Sequence, residues 1–359
     1  MSIWRSLPVR AKTGVCLFGF FALVAIFGPV FEPFNPGFEN QNPSFSLNPP
    51  SLHHLLGTTQ LGEDVFSQVL TGTRLTLEVS LLVGVIATVL SVLVGVTAAY
   101  LGGIWDDLLS LLTNVFLVIP ALPLLIVLLG YLSNQGQTPT IIVLAGLGWP
   151  WGARVIRAQT LTIRNRDFIA ASRETGEPTW RIIVFEIIPN EISLIAANFV
   201  NTVLYALGAS VALAFIGIAN LTSFSLGVVL YWAQNGNALQ SGDWWWWIPA
   251  GLVIALMGTS LVLLNSGIDE IGNPRLRSSR ETGRIGGHRI WTTDPTPVLS
   301  QLTAPRGRVG QFAHAFSRSS LLDRAATKNH ADGAAEAPAA TLQLSSTTRS
   351  LTSFPPVTS

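Results

Sequence analysis

Six stretches of this chain are apolar for the length of a membrane span, and polar segments separate them. They run Thr13–Phe31, Thr76–Leu101 with Glu78 near its start, Leu108–Leu132, Pro139–Ala153 with a possible extension through Ile156, Ile192–Ile218 and Ile248–Ile268. A helix crosses the hydrocarbon core with about 20 residues. Each central Leu, Ile, Val or Phe favours insertion by about 0.3 to 0.6 kcal/mol, and a central charge opposes it by about 2.5 to 3.5 kcal/mol. Leu108–Leu132 has many of the former and none of the latter. Pro139–Ala153 is the shortest run. The pattern predicts an all-α membrane protein with about six transmembrane helices. Arg5, Arg10 and Lys12 precede the first run as they would in a signal peptide, but Gly28-Pro29-Val30-Phe31 stands where a small-x-small cleavage site belongs. A retained anchor is expected.

Basic residues orient the spans. Arg5, Arg10 and Lys12 come before the first run. Arg154, Arg157, Arg164, Arg166, Arg173 and Arg181 lie between the fourth and fifth, and Arg275, Arg277, Arg280 and Arg284 follow the sixth. With six crossings all three groups share one side, so both termini are expected in the cytoplasm. The short connection Gly102–Asp107 carries Asp106 and Asp107 on that same side, which orientation tolerates because acids weigh little.

Composition agrees with a membrane chain. Of 359 residues, 11% are charged, against about 25% in soluble domains, and the mean hydropathy is +0.47. The net charge of +1 gives no footprint for nucleic acid, and the single cysteine, Cys16, excludes an internal disulfide or multi-cysteine metal site. The expected organisation is a cytoplasmic N-terminus (1–12), a first transmembrane helix (13–31), an extracytoplasmic segment (32–75), a core of five helices (76–277) with a cytoplasmic loop (157–190), and a tail (278–359). Trp244–Trp247 precede the sixth span and read as an interfacial anchor. The tail, rich in Ser, Thr, Ala, Arg and Pro, reads as a disordered cytoplasmic extension.

The most informative stretch joins the fourth run to the fifth. It is long and basic, and Leu161, Phe168, Ile169, Ala170 and Ala171 supply a small apolar patch on helical turns. Gly176 suits a helix C-terminus with positive φ, Pro178 suits the start of the next helix, and Pro189 leads back to the membrane. The residues alone describe either a plain basic loop or a short helical elbow that seats in a partner.

This stretch resembles the EAA loop of ABC-importer permeases, whose pattern is Glu-Ala-Ala, three residues, Gly, nine residues, then Ile-x-Leu-Pro. Ala170-Ala171-Ser172 stands at the Glu-Ala-Ala position, Gly176 and Pro189 keep the spacing, Ile188 replaces the Leu and Glu186 the Ile. The leading Glu is absent. Three more blocks resemble the dipeptide/oligopeptide branch. They are Leu56-Gly57-Thr58-Thr59-Gln60-Leu61-Gly62-Glu63-Asp64-Val65-Phe66-Ser67 with Gly72-Thr73-Arg74, then Gly148-Trp149-Pro150 with Ala153, Arg154 and Arg157, then Asp269-Glu270 with Asn273-Pro274-Arg275-Leu276. Glu63 replaces the usual Arg. The resemblance covers roughly Pro50 to Arg277.

The resemblance implies a type I ABC importer permease (MetI-like) fold in a prokaryotic cell membrane. It implies a second permease subunit forming a heterodimer, two ATPase subunits that use ATP and Mg, and an extracytoplasmic solute-binding protein. The chain itself then binds no cofactor and has no catalytic residue and no metal site. Arg166, Phe168, Ile169, Ala170, Ala171, Ser172, Gly176 and Pro189 would contact the ATPase. The solute implied is a di- or oligopeptide, with nickel an alternative. No G-x-x-x-x-G-K-[ST] phosphate loop occurs. Polar positions within the spans, Asn114, Asn198, Asn201 and Ser210, together with Pro120, are candidates to line the pathway, with helix–helix hydrogen bonding the alternative role. A stand-alone secondary transporter or channel would need carboxylates inside the spans, where only Glu78 is expected. His53 and His54, adjacent with no nearby cysteine, make a weak metal site.

Overall fold

The computed structural model describes residues 9–37, 46–132, 136–272, 282–285 and 288–291. Its main unit is helical. The long elements are α1 (Val9–Phe31), α2 (Val65–Leu101), α3 (Gly103–Val118), α4 (Ala121–Leu132) and α5 (Thr138–Arg164). A short α6 (Asp167–Glu174) precedes α7 (Thr179–Phe215), and α8 (Leu226–Asn235), α9 (Ala238–Ser241) and α10 (Trp244–Gly272) follow. Of the expected tail, the described part is an antiparallel hairpin, Thr282–Ile285 on His288–Trp291, in a separate compact unit. The rest of 278–359, with residues 1–8 and the Asn273-Pro274-Arg275-Leu276 block, lies outside the described residues.

Five helices are long and apolar enough to cross a membrane, or six if α3 and α4 form one broken span. The packing decides for six. At one end of the bundle Arg164, last residue of α5, donates to the carbonyl of Ala99 near the end of α2 at 2.8 Å. Helices α2 and α5 therefore run parallel, and α3–α4 must carry the chain back across. The expected continuous helix Leu108–Leu132 is instead bent by 83°. Ile119, at the break, is extended (φ −67°, ψ 127°) because it precedes Pro120, whose ring disfavours a helical neighbour. Gly28 near the end of α1 faces Leu70 near the start of α2, while Gly14 faces Leu264 and Gly267 faces Ala11, so α1 begins and α10 ends at the α6 end as well.

Helix α2 is the central post, touching α1, α3, α5, α7, α8 and α10. It begins eleven residues earlier than hydropathy suggests and spans 37 residues, about 55 Å. Its first turns are too polar for lipid but are buried in protein, with Ser67, Gln68 and Thr73 under 4% exposed. Asp64 caps it, accepting from the Ser67 amide at 2.8 Å, the Ser67 hydroxyl at 2.7 Å and His54 Nδ1 at 2.9 Å. Such a cap contributes about 1 kcal/mol. His53 stacks on Phe34 with ring centroids 5.2 Å apart. Gly57, at φ +69°, leaves no room for a side chain, since a Cβ would sit 2.5 Å from the Asn48 carbonyl.

Small residues let the long helices touch backbone to backbone, as membrane helices require. A Cβ on Gly95 of α2 would lie 2.6 Å from the Ala153 carbonyl of α5. Ser91 lies 2.7 Å from the Trp149 carbonyl across the same contact. The tryptophan run departs from the expected interfacial belt. Trp244 is 52% exposed, but Trp246 is 3% exposed and packs in the core with Trp245 and Trp247 beside it. Gly236 leaves the space that the Trp246 ring fills.

Candidate functional site

The segment between α5 and α7 folds as a helical elbow. Arg166 is extended (φ −82°, ψ 149°) and starts α6, its carbonyl accepting from Ile169 at 3.0 Å and Ala170 at 3.2 Å. Asp167 in the first turn and Arg173 in the last suit the helix dipole. The end is a Schellman closure: Gly176, at φ +79°, donates to the Arg173 carbonyl at 3.0 Å, and Glu177 donates to the Ser172 carbonyl at 3.2 Å. Pro178 then opens α7, its carbonyl accepting from Arg181 at 3.0 Å, and Arg181 pairs with Glu177.

The elbow has two faces. Ile169 is fully buried in a cluster with Val96 and Tyr100 of α2, Ile156 and Ile163 of α5, and Ile182 and Ile187 of α7. Burying such a side chain is worth about 1.5 to 3 kcal/mol. Arg173 adds a second tie, its guanidinium carbon 4.9 Å from the Tyr100 ring centroid. Phe168, Ala170, Ala171, Arg166 and Gly176 are exposed on the opposite side, Ser172 is half-buried, and Pro189 is exposed on α7. Ile169, expected among the outward contacts, is instead the anchor. Sequence alone could not separate it from Phe168, because neighbouring apolar residues on so short a helix are sorted only by what packs beneath it.

The expected loop 157–190 is mostly helix. Its first eight residues complete α5, and its end belongs to α7, which widens to π-type turns at Ile182–Ile187. Pro189 explains the widening: its ring clashes with the carbonyl four residues back, at Phe185. Asn190 Nδ2 donates to the Glu186 carbonyl at 2.6 Å across this irregular stretch.

The pathway candidates do not converge. Asn114 is exposed on α3 and accepts from Arg154 at 2.8 Å, and Pro120 marks the α3–α4 break. Asn198 is buried between helices against Gly152, Asn201 is exposed, and Ser210 lines a small crevice with Thr76, Gln137 and Thr140 at the far end.

Two features at the elbow end escaped sequence reading. Asp106 of α3 pairs bidentately with Arg157 of α5, at 2.6 and 2.7 Å, which accounts for the acid in the short connection. Glu191 lies inside α7, 1% exposed, accepting from the Thr160 hydroxyl of α5 at 2.8 Å. It falls one residue before the expected span, so its burial was invisible to a search of the apolar runs. It ties the two legs of the elbow together. Glu191→Gln keeps an acceptor for Thr160 and is expected to leave thermal stability unchanged or raised, whereas Glu191→Ala strands the hydroxyl and costs about 1 to 3 kcal/mol, read as thermal unfolding of the purified protein.

Comparison with known proteins agrees with this architecture. The family described as binding-protein-dependent transport system inner membrane component matches residues 52–278. The dipeptide transport system permease protein DppC of Bacillus subtilis (strain 168) is 31% identical over 277 residues, 76% of this chain and 85% of that protein. The oligopeptide transport system permease protein OppC of the same organism is 29% identical over 292 residues, 77% of this chain and 91% of that protein. OppC of Mycobacterium bovis is 30% identical over 236 residues, 65% of this chain and 80% of that protein. This chain, with its six crossings and its elbow between α5 and α7, belongs to the family of inner membrane components of binding-protein-dependent transport systems.

Proposed function

We propose that this chain is a permease subunit of an ATP-driven importer of di- or oligopeptides and that α6 is its coupling helix. The observation that carries the reading is the two-faced elbow, anchored inward by Ile169 and presenting Phe168 and Ala171 outward. A partner ATPase grips the outer face, and because the elbow is fixed to α2, α5 and α7, its displacement moves all three helices. This is a two-state repacking driven by differential binding rather than a chemical step on this chain. ATP and Mg belong to two ATPase subunits. A second permease subunit completes the pathway, and an extracytoplasmic binding protein delivers the solute. The peptide assignment rests on the names of the relatives.

The elbow end is cytoplasmic in this reading. Arg157, Arg164, Arg166, Arg173 and Arg181 cluster there, whereas Arg74 lies toward the far end. The start of α1 and the end of α10 share that side, which supports cytoplasmic termini. Gentle detergent extraction of the tagged chain is expected to recover ATPase subunits, and the reconstituted complex to take up peptide only with ATP inside its elbow-side compartment. Uptake by this chain alone under an ion gradient would contradict the reading.

A further inference from the structure

Away from the elbow face, α2, α3 and α5 border an open pocket of about 80 Å³ whose walls include Ser110, Thr113, Asn114, Arg154 and Arg157, with Asn114 and Arg154 exposed at its mouth. Its two guanidinium groups are answered differently. Arg157 is neutralised by the bidentate pair with Asp106. Arg154 donates to Asn114 Oδ1, a neutral amide, at 2.8 Å, and among the described residues no carboxylate pairs with it. Arginine stays protonated in a protein. An unanswered charge on a helix that crosses a membrane requires a counter-anion or water.

Trp105 near the start of α3 and Trp151 midway along α5 are 59% and 66% exposed beside this pocket, amphipathic rings of the kind that pack against lipid near headgroups. Asn114 holds one edge of the guanidinium, leaving the other donors of its planar fork for a bidentate oxyanion. A water needs about 10 to 15 Å³ of such space, so the pocket has room for several waters or one phosphate group. Basic pockets between membrane helices near the surface are suited to anionic headgroups.

We propose that Arg154, positioned by Asn114, binds the phosphate of an anionic lipid headgroup in the groove between α3 and α5, in the leaflet on the elbow side. The site is separate from the coupling face, and its test needs no ATP and no transport, so its outcome is independent of the proposed coupling. The assembled complex is purified in neutral detergent, then offered phosphatidylglycerol, phosphatidylcholine or inorganic phosphate. Thermal unfolding and lipid retained in native mass spectrometry are read. Phosphatidylglycerol is expected to be retained and to raise the unfolding temperature, with phosphatidylcholine doing neither. Arg154→Gln should retain about fivefold less phosphatidylglycerol, the effect of one basic residue near an anionic surface. Asn114→Asp supplies the missing carboxylate from within. It should lose the lipid while unfolding at a higher temperature than wild type in lipid-free detergent, which shows that the variant is folded. Inorganic phosphate that reproduces the shift and displaces phosphatidylglycerol would keep the oxyanion site and make free phosphate its source. Equal lipid retention by wild type and both variants would overturn the proposal, as would protection by a dipeptide but not by either phosphate source.

Discussion

Ala171→Glu is expected to cut ATP-driven uptake sharply while leaving the subunit folded and in the membrane. Ala171 is exposed on the outer face of α6, and the inward contacts through Ile169 do not involve it. Nothing within the subunit therefore opposes the change. In the assembled importer, however, the carboxylate would be forced into a docking cleft, and an unpaired charge buried at an interface commonly costs 2 kcal/mol or more. That corresponds to at least about 30-fold weaker docking. Uptake in proteoliposomes should fall by a comparable factor, while detergent-solubilised Ala171→Glu should unfold at the wild-type temperature. Full uptake by this variant would remove α6 from the coupling interface.

Gly95→Leu should have the opposite profile, destroying the subunit rather than its coupling. The contact between α2 and α5 is the most extensive in the bundle. A Cβ at position 95 would sit 2.6 Å from the Ala153 carbonyl and 3.1 Å from the Arg157 amide, both backbone atoms that cannot swing aside. The helices must separate, and the Ser91 bridge to Trp149 is lost with them. Overpacking costs typically 1 to 3 kcal/mol, and a buried hydrogen bond adds about 1 kcal/mol. A protein with a few kcal/mol in hand would fail to accumulate. Gly146→Leu, on the same α5, is the control: a Cβ there meets nothing within 4 Å. Comparable membrane levels and unfolding temperatures for both variants would show that this crossing is not close-packed in the working protein.

The parts of this fold that were legible in the sequence are those written as local composition. Apolar runs announce the crossings, and Gly176 with Pro178 announces a helix end followed by a helix start, both observed. Hydropathy misplaced elements where side chains face protein instead of lipid. The first turns of α2 carry Ser67, Gln68 and Thr73, which look like loop residues until α8 and the preceding segment bury them. Helices α8 and α9 in the stretch 219–243 were not anticipated because, at 10 and 4 residues, they are too short to register as spans. The break at Ile119–Pro120 was written in the chain, but an average over apolar residues is blind to direction. Trp246 shows the limit from the other side: four successive tryptophans suggest a belt, yet only the neighbouring Gly236 opens a socket for one of them. For the elbow, the sequence located it and gave its closure. Which residue anchors and which faces outward depended on a cluster drawn from three helices far apart in sequence.

The central claim is that the outer face of α6 seats against a cytoplasmic ATPase subunit. The most direct measurement places a single cysteine there, Ala171→Cys with Cys16→Ser, and treats intact cells expressing the whole importer with a membrane-permeant maleimide that carries a benzophenone, which on irradiation inserts into C–H bonds of whatever protein lies against the thiol. The account predicts one adduct joining this chain to the ATPase subunit, and protection of the thiol from a membrane-impermeant maleimide added outside. Labelling from outside with no ATPase adduct would contradict it.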